Sequence, residues 1–220
     1  MAQSKAESLL GDFSALLQQV GVRGVLPVCN PPVAPDTKLI TNLTGLQTFL
    51  EAYLAQVLYP VELPAIANAC GHVRRGELRE LIELDQRLAG DARLKPFAAA
   101  SRQIGVLQLK RMKPLRDERT VQRYLRAVES GQAAGWHTLV YGMTLSVYSI
   151  PLRQGLLHYG RETLSALAQA AAGAENFFNP ACQDMLGTLL ACLPQNVEQT
   201  VPSSKMVTVP LRRYSQKSLL

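Results

Sequence analysis

Apolar residues recur at helical spacing along most of the chain. Over residues 4–20, Leu9, Leu10, Phe13, Leu16, Leu17 and Val20 line one face, and Ser4 with Glu7 three places on suits a capping box. Gly21 and Gly24 end that helix. Pro27, Pro31, Pro32 and Pro35 then forbid regular helix, so residues 21–43 read as irregular. From Thr44 the helical pattern resumes and hardly lapses. Thr44 to Gln47 resembles a second capping box, opening a helix through Phe49, Leu50, Tyr53, Leu54 and Val57. Pro60 is expected to restart the chain into a helix ending near Gly71. Further helices are predicted from Gly76, over 91–113, 117–130, 132–148 and 151–172, and over 180–193 with Asn179 as its cap. Strand-like alternation is missing before position 205, so the pattern predicts an all-α, compact, single-domain bundle of about eight to ten helices. The expected organisation is an N-terminal helix and proline-rich segment over 1–43, a helical domain over 44–200, and a tail over 201–220.

Composition excludes wholesale disorder: of 220 residues, 47% are hydrophobic and 18% charged. No apolar run approaches the length of a membrane span, and the first residues lack the basic-then-apolar order of a signal peptide. The expectation is a cytoplasmic protein without a membrane partner. Cys29, Cys70, Cys182 and Cys192 form no Cys-x-x-Cys pair and read as free structural thiols, with Cys182 and Cys192 in an apolar stretch suited to a core.

Candidate chemistry is sparse. His72, His137 and His158 have no cysteine or carboxylate at ligand spacing, and neither a phosphate loop nor a nucleophile elbow occurs. The reading is therefore non-enzymatic, with no catalytic residue, cofactor or metal. Glu80, Glu83 and Asp85 alternate with Arg79 and Arg87, as on a solvated, salt-bridged face. Charge is less even elsewhere. Residues 93–126 hold ten basic and two acidic side chains, a net +8 against +6 for the whole chain. Such a face favours an acidic partner. It also has the electrostatics of a nucleic-acid footprint, but no aromatics interleave with the basic residues and no recognition-helix motif frames them, which favours protein. Arg116, Arg119 and Arg123 are the candidate contacts there. In the tail, Met206, Arg212, Arg213 and Tyr214 belong to a segment that is basic yet more apolar than a solvated terminus requires, suited to ordering on a partner. Gly105 and Gly142 interrupt predicted helices, which suggests close packing, while Tyr141, Tyr148 and Tyr159 suit either a core or a contact surface.

Three stretches, in order, resemble the urease accessory protein UreF family. One runs from Leu46 through Tyr59-Pro60-Val61-Glu62-Leu63-Pro64. The second is Ser101-Arg102-Gln103-Ile104-Gly105, similar to the family's Ser-x-Gln-x-Gly helix. The third combines Gly135 to Gly142, containing His137-x-x-x-Tyr141-Gly142, with Ile150-Pro151-Leu152 and Leu157-His158-Tyr159. Gln183 matches a later glutamine, and Met206 to Ser215 resembles the family's ending. The chain departs from the pattern at Leu26-Pro27-Val28, at Gly173 to Glu175 and at Thr208-Val209, as a divergent member would. The resemblance implies an all-helical chaperone-like scaffold for nickel insertion. Its partners would be a UreD/UreH-type accessory protein, the nickel-carrying GTPase UreG and the urease apoprotein, with pairing of two copies left open. The family-motif positions it marks are Pro64, Gln103, Gly105, His137, Gly142, Tyr159 and Gln183.

Overall fold

The computed structural model describes residues 42–177 and 179–201, and for 170–177 the helical backbone alone. The helix expected over 4–20, the proline-rich segment up to residue 41, Cys29, and the tail from 202 with Met206, Arg212, Arg213 and Tyr214 lie outside the described residues. Among the described residues there is no strand. The elements are α1 (Leu43–Tyr53), a π-helical segment (Leu54–Glu62), α2 (Leu63–Arg75), α3 (Leu78–Gly90), a 3-10 segment (Ala92–Phe97), α4 (Ala98–Arg111), α5 (Arg119–Glu129), α6 (His137–Val147), α7 (Leu152–Phe177), α8 (Pro180–Ala191) and α9 (Leu193–Thr200).

The bundle is built around α6. From His137 to Leu145 every residue is buried, as expected of a helix without a polar face. Its largest interface is with α2, and its next is with α4. Gly142 makes the first interface close: a Cβ there would stand 2.5 Å from the Ile66 carbonyl oxygen. Gly105 does the same where α4 meets the start of α6, since its Cβ would lie 2.0 Å from the Gly135 oxygen. The long α7 packs on α1, α2, α8 and α9 and reaches α6 through Tyr141, whose hydroxyl donates to the Gly155 carbonyl at 2.9 Å.

Several local expectations are corrected. The cap of α1 is Asn42, not Thr44: the Asn42 side chain accepts from the Gly45 amide at 2.7 Å. Pro60 does not restart the chain. Helical winding continues from Leu43 to Arg75, because the wider π turns tolerate a residue that has no N–H to donate. The segment predicted as one helix over 91–113 divides into a 3-10 turn and α4, with Pro96 in the 3-10 part. The helix predicted from 132 begins only at His137, because Gly131 and Gly135 adopt φ of +76° and form a turn before it. Asn179 caps α8 as expected, accepting from the Ala181 amide at 3.0 Å.

Candidate functional site

The most distinctive chemistry is interior. A run of buried polar side chains crosses the bundle from α4 to the π segment. Ser101 Oγ lies 2.6 Å from His137 Nδ1, and His137 Nε2 lies 2.8 Å from the Tyr159 hydroxyl. Tyr159 hydrogen-bonds Glu62, and Tyr53 donates to Glu62 Oε2 at 2.6 Å. Each of these residues is at most 5% exposed.

Winding explains why Tyr53 and Glu62 meet. In an α-helix, residues nine apart lie on opposite faces. Two π turns of roughly 4.4 residues return such a pair to one face. The nine-residue π segment thus turns the Glu62 carboxyl inward, where α-helical winding would carry it away from Tyr53.

Burial dominates the electrostatics. Desolvation pushes the Glu62 carboxyl up to about 7, although the phenols of Tyr53 and Tyr159 favour its anion. Both phenols are raised well above their ordinary value, first by burial and then by Glu62. Burial lowers His137 to about 4, so the imidazole is neutral near pH 7. With Glu62 ionised, Tyr159 donates to it and accepts from Nε2–H, which leaves Nδ1 to accept from Ser101. Protonating Glu62 lets the direction of donation from Tyr159 through His137 to Ser101 reverse, while Tyr53 goes on donating to Glu62. Among the described residues the line is closed off from the surface. The adjoining cavity, lined in part by Glu62, Ser101, Trp136 and His137, measures about 10 Å³, roughly the room of one water.

A second buried knot surrounds Asp85, which is 1% exposed. The expectation of a solvated carboxylate therefore fails for this residue, while Glu83 does pair with Arg79 on the surface at 2.9 Å. Tyr124 donates to Asp85 at 2.5 Å, and the amides of Ala134 and Gly135 donate at 2.6 and 2.9 Å. A longer contact of 3.4 Å comes from the Trp136 amide. Asp85 faces inward because it follows Leu81 by four residues and Leu84 by one, on the buried stripe of α3. It holds the turn that delivers His137. Arg102 covers that turn from outside, 5.2 Å from the Trp136 ring centroid.

The residues marked by sequence divide between core and surface. His137, Tyr159, Gly105 and Gly142 are buried; Pro64 and Gln183 are half-buried; Gln103 is exposed. Tyr141 is also buried, whereas Tyr148 is exposed. Cys70 and Cys182 are buried free thiols, but Cys192 is exposed at the α8–α9 junction, contrary to its expected core place. His158 is buried, and desolvation together with nearby Arg161 lowers it to about 4. Arg116, in the turn after α4, and Arg119 and Arg123, on α5, are exposed and take no part in the buried run. Glu62, Ser101, Tyr53 and Asp85 were not singled out as site residues. Glu62 and Ser101 nevertheless stand inside the stretches that carry the family resemblance, which was the available signal. Among the described residues, no three His, Cys, Asp or Glu side chains come together as a metal group. No helix among them is long and apolar enough to cross a membrane.

These features define a helical bundle with a closed polar core, in which buried hydrogen bonds fix how α1, the π segment, α4, α6 and α7 meet. The model of the UreF family matches residues 40–174, more than half of the chain. The protein belongs to the urease accessory protein UreF family, which is not a family of catalytic enzymes. Membership implies a role in urease maturation and interaction with other urease accessory proteins. No curated protein matches the chain. The match ends before α8, α9 and the tail.

Proposed function

We propose that the protein is a non-catalytic cytoplasmic scaffold for nickel insertion, binding a UreD/UreH-type accessory protein, the GTPase UreG and the urease apoprotein. The observation that carries this reading is the family match over residues 40–174. The interior is consistent with such a role: the polar run ties helices together and opens to no substrate. Nickel, on this reading, is cargo passed within the assembly. The tail over 202–220, with Met206, Arg212, Arg213 and Tyr214, is proposed to order on the accessory protein, burying its apolar side chains at the cost of conformational entropy.

The test is co-purification of the tagged full chain from its native cell, with partners identified by mass spectrometry. Recovery of urease subunits, the GTPase or the accessory protein at near-stoichiometric amounts is expected. Recovery of none of them, under conditions where urease is being matured, overturns the scaffold.

A further inference from the structure

The turn after α4 and the outer face of α5 carry an unbalanced charge that the buried core does not explain. Between Lys110 and Arg126 the sequence holds seven cations and two anions. Lys110, Arg111, Lys113, Arg116, Arg119, Arg123 and Arg126 are all exposed. None of them forms a salt bridge among the described residues. Glu77, Glu83, Asp91 and Glu198, by contrast, each pair with a cation elsewhere on the molecule. Asp117 and Glu118, the anions of this stretch, are exposed and form no ion pair there either.

The ledge is held in shape. Gln122 donates to the carbonyls of Lys113 and Leu115 at 3.1 and 2.9 Å, clasping the turn to α5. Met112 is buried beneath it, and the Thr144 hydroxyl contacts its sulfur at 3.8 Å. On α5, Val121, Tyr124 and Leu125 face the core, so Arg119, Arg123 and Arg126, spaced by four and three, share the opposite face. Leu107, 46% exposed, precedes Lys110 and Arg111 by three and four residues and adjoins them on α4. The turn beneath the cations is fixed, so a docked partner has only their side chains to order, and Leu107 offers one aliphatic contact beside them.

We propose that this ledge is a docking surface for an acidic protein segment, with Arg116, Arg119 and Arg123 as its centre and Leu107 as its apolar edge. The occupant is not this chain's own tail, whose Lys205, Arg212, Arg213 and Lys217 carry the same sign. Nucleic acid fits less well. The ledge has no exposed aromatic to stack on a base: the exposed large hydrophobics among the described residues are Leu43, Leu107 and Tyr148, and Tyr148 stands at the end of α6. This inference rests on reading the chain as a protein that works by docking, and names the chemistry of one docked partner.

The test uses fluorescence anisotropy on the full chain with two probes: a labelled 20-residue peptide of alternating Asp and Glu, and a labelled 20-base-pair duplex. Wild type is expected to bind the peptide with an affinity that falls as salt rises. Arg116→Glu/Arg119→Glu/Arg123→Glu should weaken that binding at least tenfold, while Arg79→Glu/Arg87→Glu on α3 leaves it within twofold. The triple Gln variant should weaken it in the same direction, and keeps the test valid if charge reversal perturbs the helical circular-dichroism signal. Peptide binding unchanged in both triple variants overturns the proposal, as does tighter binding of the duplex through the same three arginines. Neither result bears on co-purification with urease proteins, so failure of the ledge and failure of the scaffold are distinguishable.

Discussion

Replacing Glu62 with Gln removes the one group in the buried run that titrates near neutrality. In the unfolded chain its carboxyl ionises at the ordinary 4.5, and in the fold at about 7. Below pH 4.5 both states hold the proton, and the favourable contribution is fully present. Between 4.5 and 7 the unfolded chain loses the proton first, so stability falls as pH rises; above 7 the loss levels off. At 1.36 kcal/mol per unit, the whole span amounts to about 3 kcal/mol. His137 and His158, both lowered to about 4, act in the opposite sense: their contribution is present above 6.5 and is lost as pH falls toward 4. They titrate in wild type and variant alike, so they cancel in the difference between the two. Urea unfolding of both proteins, followed by far-ultraviolet circular dichroism from pH 5 to pH 8, isolates the Glu62 contribution. The stability of Glu62→Gln relative to wild type is expected to improve by about 2 kcal/mol from pH 5 to pH 8, most of the full span. A relative stability that stays flat with pH would refute the reading that desolvation of this buried carboxyl outweighs its hydrogen bonds to Tyr53 and Tyr159.

Gly105→Ala pushes a Cβ against the Gly135 carbonyl, backbone that cannot swing aside; a loss of about 3 kcal/mol or more is expected in thermal unfolding, and an unchanged melting temperature would contradict the close approach of α4 to α6. Asp85→Ala strands the Tyr124 hydroxyl and the amides of Ala134 and Gly135, for a loss of about 3 kcal/mol; amide exchange over residues 133–136 should accelerate, and protection retained there would count against the knot. Deleting residues 202–220 should leave the melting temperature of the isolated chain within a few degrees while weakening capture of the accessory protein; a large drop in melting temperature, or full capture, defeats the proposed role of the tail.

Periodicity made most helices legible because their apolar stripes obey the helical repeat: α5 shows Val121, Tyr124, Leu125 and Val128 on one side and arginines on the other. Pro60 misled because a proline inside a periodic run ordinarily ends it, and sequence has no local mark for π winding. Asp85 misled for a related reason. Charged Glu83 and Arg87 stand two residues to either side, and its actual partners, Tyr124 and the 134–136 turn, lie 39 to 51 residues away. No local pattern encodes such a pairing, although its position four residues after Leu81 on the apolar stripe was a clue. Cys192 follows the apolar Leu189 and Leu190, yet it falls where α8 gives way to α9 and the buried stripe has ended.

The three stretches that carry the family resemblance are far apart in sequence, and the fold brings their polar members to one place. Glu62 comes from the first, Ser101 from the second, and His137 and Tyr159 from the third. Gly105 and Gly142 stand where the same elements approach most closely. The recognisable part of this chain is thus a set of packing instructions, a buried polar path and two tight contacts that admit one arrangement of α2, α4, α6 and α7. Such residues identify the fold and its family, but they are buried in the bundle. Side chains that meet partners must be sought on the surface, where Gln103 is the exposed motif position among the described residues and charge is the broader signal. If that division holds, substituting His137 with Phe should lower stability without altering acidic-peptide binding by the residual folded protein, whereas reversing Arg119 and Arg123 should do the opposite. Parallel melting curves and anisotropy titrations on the two variants check both halves, and any variant that moves both quantities together would show that core and ledge are not separable.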